Sequence, residues 1–316
     1  MNQNGTQLNS TLGPLPGMQN RPAPRRRRLV AAPYLMSLPI ALVLIVFTAY
    51  PFVYNLYLST RAYILSRPQK TPFVGWDNFA NVLKNFYFQQ AVGNTFLYGA
   101  MLLIGTTLLG FAIALLMARP GRWAGLLRVL VILPWAIPPT VAGIIWKWIW
   151  SGDFGLLNGI LANLGVIRSY QAWLADPMTA LLAVAVAAIW RETPLTAILL
   201  LGGLQSIPAE LYEASQIDGA SGSERVWHVT VPLLKPFLLV VLVFQTINAL
   251  VTFDLLYVMT GGGPGTATQL LSWYAYSEIF KFLNVGNGAA MGFILALINI
   301  TIVMVYLRVI RSEEVY

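Results

Sequence analysis

Six long apolar stretches leave this chain few possible folds. They cover roughly residues 30–58, 94–118, 125–150, 180–206, 236–259 and 288–309. A helix needs about 20 apolar residues to cross the hydrocarbon core of a bilayer. Because lipid offers the backbone no hydrogen-bonding partner, each stretch is expected to be an α-helix, and the stretches are too long for the strands of a membrane barrel. The sequence therefore predicts an all-α, polytopic membrane protein with six transmembrane helices.

The composition agrees with a protein that faces lipid. Of 316 residues, 57% are hydrophobic and 10% are charged, whereas soluble domains carry roughly 25% charged residues. The chain has no cysteine and one histidine, His228, which excludes disulfides and thiolate metal sites. A membrane-embedded enzyme would need a cluster of histidines, cysteines or paired carboxylates. Enzymatic chemistry is therefore a poor explanation of this chain, and we expect no metal in it.

The placement of lysine and arginine predicts the orientation. If the N-terminus is cytoplasmic, the inside segments hold 12 of the 20 basic residues and the outside segments hold 6, with Lys147 and Arg191 inside spans. Cytoplasmic loops are enriched in these residues, so both termini are expected in the cytoplasm and the protein in the inner membrane. The net charge of +8 then reflects basic flanks facing anionic lipid headgroups, not nucleic acid.

The ends of the chain differ from its middle. Residues 1–28 are rich in Asn, Gly, Pro and Gln and finish in four arginines, which predicts a disordered, basic cytoplasmic tail. The apolar stretch that follows is too long for the core of a signal peptide, so we interpret it as an uncleaved first span. The membrane domain is expected to cover 29–312, with a short C-terminal tail at 313–316.

The polar segment at 207–235, here called the docking loop, lies between the fourth and fifth apolar stretches and is expected in the cytoplasm. A loop that only lies on lipid is usually rich in Lys and Arg on its polar face, but residues 208–222 contain neither. A protein partner therefore explains the loop better than lipid does. The loop carries four acidic residues: Glu210, Glu213, Asp218 and Glu224.

The docking loop is predicted to contain two short helices. Pro208 suits the start of the first helix, where its missing N–H costs nothing. Gly219 suits the end of that helix, because glycine tolerates the left-handed conformation. A second helical stretch, from about 223 to 230, is expected to end before Pro232.

The amino-acid sequence of the docking loop resembles that of a known family. Glu213-Ala214-Ser215, Asp218-Gly219-Ala220 and the trailing Pro232 resemble the EAA motif of ABC-importer permeases. The segments 133–138 (LPWAIP), 203–208 (GLQSIP) and 260–264 (TGGGP) are similar to MalF-like carbohydrate permeases. The resemblance runs from about 29 to 306 and implies a MetI/MalF-like transmembrane domain of a type I ABC importer. It also shows a departure, since the additional N-terminal spans and large outer insertion of the maltose permease are missing.

The resemblance implies a permease subunit that forms half of the translocation pathway of a sugar importer. Its expected partners are a second homologous permease, an extracytoplasmic sugar-binding protein and a cytoplasmic ATPase dimer that binds ATP and Mg²⁺. The chain itself contains no phosphate-binding Gly-x-x-x-x-Gly-Lys-Ser/Thr loop, and no cofactor is expected in it. The residues expected to couple it to the ATPase are Glu210, Glu213, Ala214, Asp218, Gly219 and Ala220.

Motif matching also implies where sugar binds. Several of the matched positions differ in chemical type from the maltose permease, so the ligand need not be maltose. The matched substrate positions are Trp135, Pro139, Ala188, Glu192, Asn248, Ala249 and Thr252. For Trp135, ordinary packing near a proline-broken helix is an equal alternative, since Pro134, Pro138 and Pro139 are expected to break the third span.

Charged side chains inside spans are functional hypotheses by default. Glu192 lies near the middle of its span, whereas Asp254 and Lys147 lie nearer the outer ends. Adjacent residues of a helix do not face each other, so Arg191 and Glu192 are each expected to have a separate partner or a watery cavity. The structural alternatives are an interhelical ion pair for Arg191 and Glu192, and a snorkelling side chain for Lys147.

A different class of transporter also deserves comparison. A self-contained secondary transporter would typically show inverted repeats and interrupted helices in both halves. No repeat is evident in the sequence, and such a transporter would leave the acidic docking loop unexplained. The ABC-importer permease is therefore the favoured interpretation.

Overall fold

Helices make up nearly all of the regular structure. The computed structural model describes residues 31–119, 121–122 and 124–311. Within these ranges the only β pairings are two isolated bridges, Arg61 with Phe73 and Ile64 with Asn284. The all-α prediction is confirmed. The expected tails at 1–28 and 313–316 lie outside the described residues.

Fifteen α-helices follow one another along the described chain, joined in three places by π-helical turns at Ile45–Ala49, Val226–Thr230 and Ser277–Lys281. The helices are α1 (Ala31–Leu44), α2 (Tyr50–Ser59), α3 (Asp77–Lys84), α4 (Phe86–Ala118), α5 (Ala124–Ala136), α6 (Pro139–Ile149), α7 (Leu156–Asn163), α8 (Pro177–Gln205), α9 (Ala209–Ile217), α10 (Gly222–Arg225), α11 (Val231–Leu233), α12 (Lys235–Val251), α13 (Asp254–Met259), α14 (Leu271–Tyr276) and α15 (Val285–Arg311).

The chain divides into two compact units, one up to Pro51 and one from Phe52 onward. In the first unit, α1 and the π-helical turn carry exposed side chains from Met36 to Tyr50, as suits an apolar helix that faces lipid. The second unit contains all the elements that position the sites described below.

Four helices are long and apolar enough to cross a membrane: Met36–Ser59, Phe86–Ala118, Pro177–Gln205 and Val285–Val309. The number rises to six if each of two bent helix pairs is one span. The second span begins at Phe86 rather than near 94, so its first turn includes the aromatic residues at 86–88, which lie before the predicted apolar stretch.

The third predicted span is a bent pair. Helices α5 and α6 meet at 94° around Ile137 and Pro138. Pro138 caps α6 and Pro139 is its first residue, where a proline needs no N–H partner. Pro134 lies inside α5 without ending it, so only part of the expected proline break falls where the sequence suggested.

The fifth predicted span is also interrupted, and here the prediction of one helix over 236–259 is wrong. Helix α12 ends at Val251 and α13 begins at Asp254. At its other end, α12 bends by 68° away from the docking-loop helix that precedes it. Neither Pro nor Gly occurs at 252–253, so the interruption has no signal in the local sequence.

Helices α4 and α8 pack against each other along most of their length and form the centre of the second unit. Small residues permit this close approach. A Cβ on Gly105 would lie 2.5 Å from Ile189 Cδ1, and one on Gly110 would lie 2.9 Å from Thr196 Cβ. On the α8 side, five alanines at 180, 183, 185, 187 and 188 are buried. Helix α12 covers both α4 and α8.

Candidate functional site

A cavity of about 240 Å³ lies where the two helix interruptions meet α8. Broken helices at membrane depth occur where they are buried in protein or line a water-filled space, so the cavity accounts for both breaks. Its wall consists of Tyr98, Pro139, Ala188, Arg191, Glu192, Asn248, Val251, Thr252, Phe253, Asp254 and Leu255.

Arg191 and Glu192 form an ion pair on the cavity wall, between Nη1 of the arginine and Oε1 of the glutamate. Both residues belong to α8, so this is not the interhelical ion pair of the structural alternative. Beside the ion pair, each residue has a partner of its own and lines the cavity, in agreement with the expectation. Arg191 Nε also donates to the carbonyl of Ile137 at 3.3 Å. That carbonyl lies in the break between α5 and α6, and the next two residues, Pro138 and Pro139, have no N–H to donate.

Glu192 also contacts α12. Asn248 Nδ2 donates to Glu192 Oε2 at 3.3 Å. One turn away, Gln245 Nε2 donates to Thr196 Oγ1 at 2.9 Å and lies 3.4 Å from the carbonyl of Glu192. These contacts tie α8 to α12 at the level of the cavity, and they satisfy polar groups that lipid could not.

Hydroxyl groups stabilise the break after α12. Thr252 Oγ1 donates to the carbonyl of Asn248 at 2.7 Å, and Tyr98 OH lies 3.4 Å from Thr252 Oγ1. The carbonyl of Thr252 accepts a hydrogen bond from Ser272 Oγ at 2.5 Å. A carbonyl that a continuous helix would have used is thus satisfied by a residue of α14.

The structure brings together most of the positions that motif matching assigned to sugar. Pro139, Ala188, Glu192, Asn248 and Thr252 all line the cavity. Arg191 and Asp254 line it as well.

Two of the residues assigned to sugar lie elsewhere, as does one of the charged residues predicted inside spans. Trp135 is on α5 with 41% of its surface exposed and is not part of the cavity wall. Ala249 is buried on another side of α12, where it faces Gly99 and lines a separate crevice with Tyr306. Lys147 lines a different crevice at the end of α6, beside Trp148.

Sequence reasoning missed Tyr98, Val251, Phe253 and Leu255. Of these, Tyr98 carried a usable signal, since it is a hydroxyl-bearing residue near the start of the second apolar stretch. The other three line the cavity only because α12 stops at Val251.

The docking loop folds into the two predicted helices. Pro208 caps α9, and Gly219 follows its end with a φ of +82°. Its neighbour Ala220 donates its N–H to the carbonyl of Ser215 at 2.9 Å. This is the hydrogen bonding expected where a glycine terminates a helix in the left-handed conformation.

The second half of the docking loop starts with a capping box that sequence reasoning missed. The backbone N–H of Ser221 donates to Glu224 Oε2 at 2.6 Å, and Ser221 Oγ accepts from the N–H of Glu224 at 3.3 Å. The hydrogen bond from the Ser221 backbone lowers the pKa of the Glu224 carboxyl. Tyr212 OH and Thr230 Oγ1, 3.1 Å apart, tie this half to α9.

The helix after the capping box does not end before Pro232, contrary to expectation. Helical backbone continues through a π-helical turn and α11 to Leu233. Pro232 follows directly after the π-helical turn, where the regular pattern of helical hydrogen bonds is already interrupted, so its missing N–H is tolerated.

The docking loop presents its first helix to its surroundings. No residue of α9 is buried. Ile217 is 87% exposed and Trp227, further along the loop, is 68% exposed. Of the six predicted coupling residues, only Ala220 is partly covered; Glu210, Glu213, Ala214, Asp218 and Gly219 are exposed.

Comparison with known proteins gives a consistent picture. Residues 107–312 match the family described as binding-protein-dependent transport system inner membrane component. The trehalose/maltose transport system permease protein MalF of Thermococcus litoralis is 39% identical over 286 residues, or 89% of this chain and 94% of the relative. The sulfoquinovosyl glycerol transport system permease protein SmoG of Agrobacterium fabrum is 34% identical, over 91% and 92% of the two chains.

The fold also matches a solved structure. A chain from the crystal structure of a bacterial ABC transporter that imports the acidic polysaccharide alginate superposes with a TM-score of 0.76. The match covers 90% of this chain and 96% of that chain, at 22% sequence identity.

Proposed function

The chain belongs to the family of binding-protein-dependent transport system inner membrane components and is a multi-pass permease subunit of an ABC sugar importer, and we propose that the cavity beside Glu192 holds the sugar during import. The observation that carries this proposal is the meeting of two broken helices at one polar cavity. Breaks at membrane depth and convergent polar groups are the usual marks of a transport site.

The chemistry of the wall suits a carbohydrate. A sugar offers hydroxyl groups that both donate and accept, and flat C–H faces that pack on aromatic rings. Asn248, Thr252 and Tyr98 supply amide and hydroxyl groups, and Phe253 supplies a ring. The rest of the pathway is proposed to come from a second homologous permease, with the sugar delivered by an extracytoplasmic binding protein.

The charges on the wall favour a neutral sugar. The guanidinium of Arg191 is engaged by Glu192, so it offers little net positive charge to a ligand. Asp254 adds an exposed carboxylate to the same wall. An anionic sugar would meet this uncompensated negative charge, and such repulsion is a means of selecting against a ligand. A neutral oligosaccharide of the trehalose or maltose kind is therefore our proposed substrate class.

The docking loop is proposed to be the contact with a cytoplasmic ATPase dimer, and both termini of this chain are proposed to lie in the cytoplasm with it. Support comes from the exposure of α9, from its acidic side chains Glu210 and Glu213, and from the exposed apolar side chain of Ile217. ATP and Mg²⁺ are proposed to bind in that partner, whose closure would move the permease through the docking loop.

Uptake by the assembled transporter tests this function. The complex of both permeases, the ATPase and the binding protein would be reconstituted in vesicles, and ATP-dependent uptake of labelled trehalose, maltose and maltotriose measured. Uptake of at least one of them is expected, with weak competition from an acidic disaccharide. Nucleotide-independent accumulation by this chain alone would instead favour a secondary transporter.

Coupling through the docking loop has a separate test. Glu213→Lys reverses the charge of an exposed residue of α9 without touching the membrane core. Co-purification of the ATPase is expected to weaken markedly, while co-purification of the second permease persists. Unchanged association with the ATPase would remove the docking argument while leaving the sugar site intact.

A further inference from the structure

A continuous set of aromatic rings leads away from the cavity. Phe253, which lines the cavity, lies 4.6 Å from Tyr276 between ring centroids, and Tyr276 lies 4.9 Å from Phe280. Tyr257 joins the set at 5.4 Å from Phe253 and 5.9 Å from Tyr276. We call these four residues the aromatic ladder. Because α12 runs from the docking loop to Val251, the ladder lies at the end of the bundle opposite that loop.

Trp273 forms the base of the ladder. It is 2% exposed and stacks on Phe253 with a centroid distance of 5.8 Å and an interplanar angle of 21°. A Cβ at Gly262 would lie 2.5 Å from the indole nitrogen of Trp273, and Lys281 Nζ lies over the Trp273 ring, 4.2 Å from its centroid. The base is therefore fixed by packing, and the ladder rings rest on a rigid support.

The exposure of the ladder changes along its length. Phe253 and Tyr276 are partly buried, whereas Tyr257 is 48% exposed and Phe280 is 64% exposed. One end of the ladder is thus a wall of the cavity and the other end is open. A molecule that touches Phe280 can reach Phe253 without leaving an aromatic surface.

The ladder also carries polar groups that the fold does not use. Within the part of the chain that the structure describes, neither Tyr257 OH nor Tyr276 OH hydrogen-bonds to another residue. Buried and half-buried tyrosine hydroxyls usually find a partner. Two ring faces with unused hydroxyls beside them offer what a sugar requires: a surface for its C–H face and groups for its hydroxyls.

We propose that the aromatic ladder is a second carbohydrate-contacting site, over which the sugar passes between the outer surface and the cavity. This inference rests on the proposed function. Aromatic residues also collect at membrane interfaces, where they anchor a helix singly in the headgroup region. The ladder differs because its rings contact one another and end at the cavity. Individually weak ring contacts suit a path, since each holds the sugar without trapping it.

Protection from chemical labelling tests whether sugar touches the ladder. The chain has no cysteine, so a single introduced cysteine is the only target for a membrane-impermeant thiol reagent in this subunit. Phe280→Cys in the assembled transporter is expected to be labelled several-fold more slowly with saturating maltotriose. The matched control is Phe282→Cys, since Phe282 is 65% exposed, two residues away and outside the ladder; its labelling should not change. Equal rates at Phe280→Cys with and without sugar would overturn the proposal, as would protection by the sugar-free binding protein alone.

Uptake kinetics give a second, independent measurement. Tyr276→Leu removes a ring from the middle of the ladder and should raise the KM for maltotriose roughly two- to tenfold, the range expected for one aromatic contact. Tyr276→Phe keeps the ring, so its KM should lie closer to the wild-type value than that of Tyr276→Leu. If Tyr276 only fills space, phenylalanine and leucine should have the same effect. Phe282→Leu is the control and should behave as wild type. Unchanged kinetics of Tyr276→Leu in a transporter that imports sugar would overturn the ladder alone, whereas a wild-type complex that imports no sugar would overturn the proposed function as well.

Discussion

Asn248 Nδ2 lies 3.3 Å from Glu192 Oε2, and this hydrogen bond joins the middle of α8 to the last turns of α12. Glu192 thus has two partners, because Arg191 holds its other oxygen. One side chain thereby connects the arginine that caps the broken α5–α6 pair, through the carbonyl of Ile137, with the helix that breaks at Thr252. A ligand that replaced either contact would act on both interruptions at once.

Removing the Glu192 carboxylate should change sugar uptake while leaving the complex assembled. Glu192→Ala leaves Arg191 without its ion-pair partner and Asn248 without its acceptor, so the cavity loses its organised wall. Glu192→Gln keeps the acceptor for Asn248 and should be the milder variant. We expect the KM for labelled maltotriose to rise in the order wild type, Gln, Ala, in vesicles of matched transporter content.

The control for this comparison is Lys147→Ala, which also removes a charge but from a crevice outside the cavity. Its kinetics should match the wild type. If Glu192→Ala transports with wild-type kinetics, Glu192 is a structural residue and the cavity is not the place where sugar is held.

The membrane fold could be predicted from the length of the apolar stretches, but one of its two helix interruptions could not. Pro138 predicts the bend between α5 and α6, because a proline lacks the N–H that a helix requires. The break at Thr252 has no such residue. It depends on Ser272, twenty positions later, which donates to the carbonyl that the helix releases. Tertiary contacts of this kind leave no local pattern in the sequence.

The same difference between local sequence signals and tertiary contacts explains which residues of the candidate site could be predicted. Motif matching located Glu192, Asn248 and Thr252. The helical period puts Asn248 and Thr252 on the same side of α12, and the packing of α8 against α12 brings Glu192 to the same cavity. Motif matching also selected Ala249, which faces Gly99 because adjacent residues on a helix point about 100° apart. The aromatic ladder, including Phe253, could not be predicted, because its rings become neighbours only where α12 has ended.

Substituting Gly219 should uncouple transport without unfolding the membrane domain. Gly219 has a φ of +82°, and a Cβ there would have no atom within 4 Å. The effect of Gly219→Val therefore comes from the backbone, since side-chain-bearing residues cost roughly 1–2 kcal/mol in the left-handed region. We expect less sugar imported per ATP hydrolysed, measured on the reconstituted complex.

A matched control lies three residues away. Gly222 is in the same loop, has an ordinary φ, and a Cβ on it would have Arg225 Nη2 at 3.9 Å as its nearest neighbour. Gly222→Val should retain more coupling than Gly219→Val. Full coupling in Gly219→Val would mean that the turn after α9 is not needed for transmission.

Two adjacent glycines of α8 should respond oppositely to alanine. A Cβ on Gly203 would lie 2.6 Å from Leu234 Cδ2 and 2.7 Å from Phe237 Cγ, whereas a Cβ on Gly202 would have nothing within 4 Å. Overpacking of this kind costs about 1–3 kcal/mol, while alanine for glycine in an open helix position gains roughly 0.5–1 kcal/mol.

Thermal unfolding of the detergent-solubilised subunit measures the difference. The Tm of Gly203→Ala is expected to fall below that of the wild type and the Tm of Gly202→Ala to equal or exceed it. Equal Tm values for the two variants would indicate that α8 and the start of α12 are not in close contact.

The capping box of the docking loop should weaken at acid pH. The Ser221 N–H donates to the Glu224 carboxylate, and this hydrogen bond lowers the Glu224 pKa in the folded loop. A carboxyl whose pKa is lower folded than unfolded stabilises the fold when ionised. The cap therefore contributes fully above the ordinary glutamate pKa, and its contribution is lost as the pH falls through the lowered value.

The ¹³C resonance of the Glu224 carboxyl, assigned by its absence in Glu224→Gln, reports this titration directly. Its midpoint should lie below that of a free glutamate side chain. Ser221→Pro removes the N–H that donates to the carboxylate and should move the midpoint back towards the ordinary value, whereas Ser223→Ala, which leaves both cap hydrogen bonds in place, should not. A midpoint at the ordinary glutamate value in the wild type would mean that the cap does not form in the membrane-embedded protein, and the second half of the docking loop would then lack its starting contact.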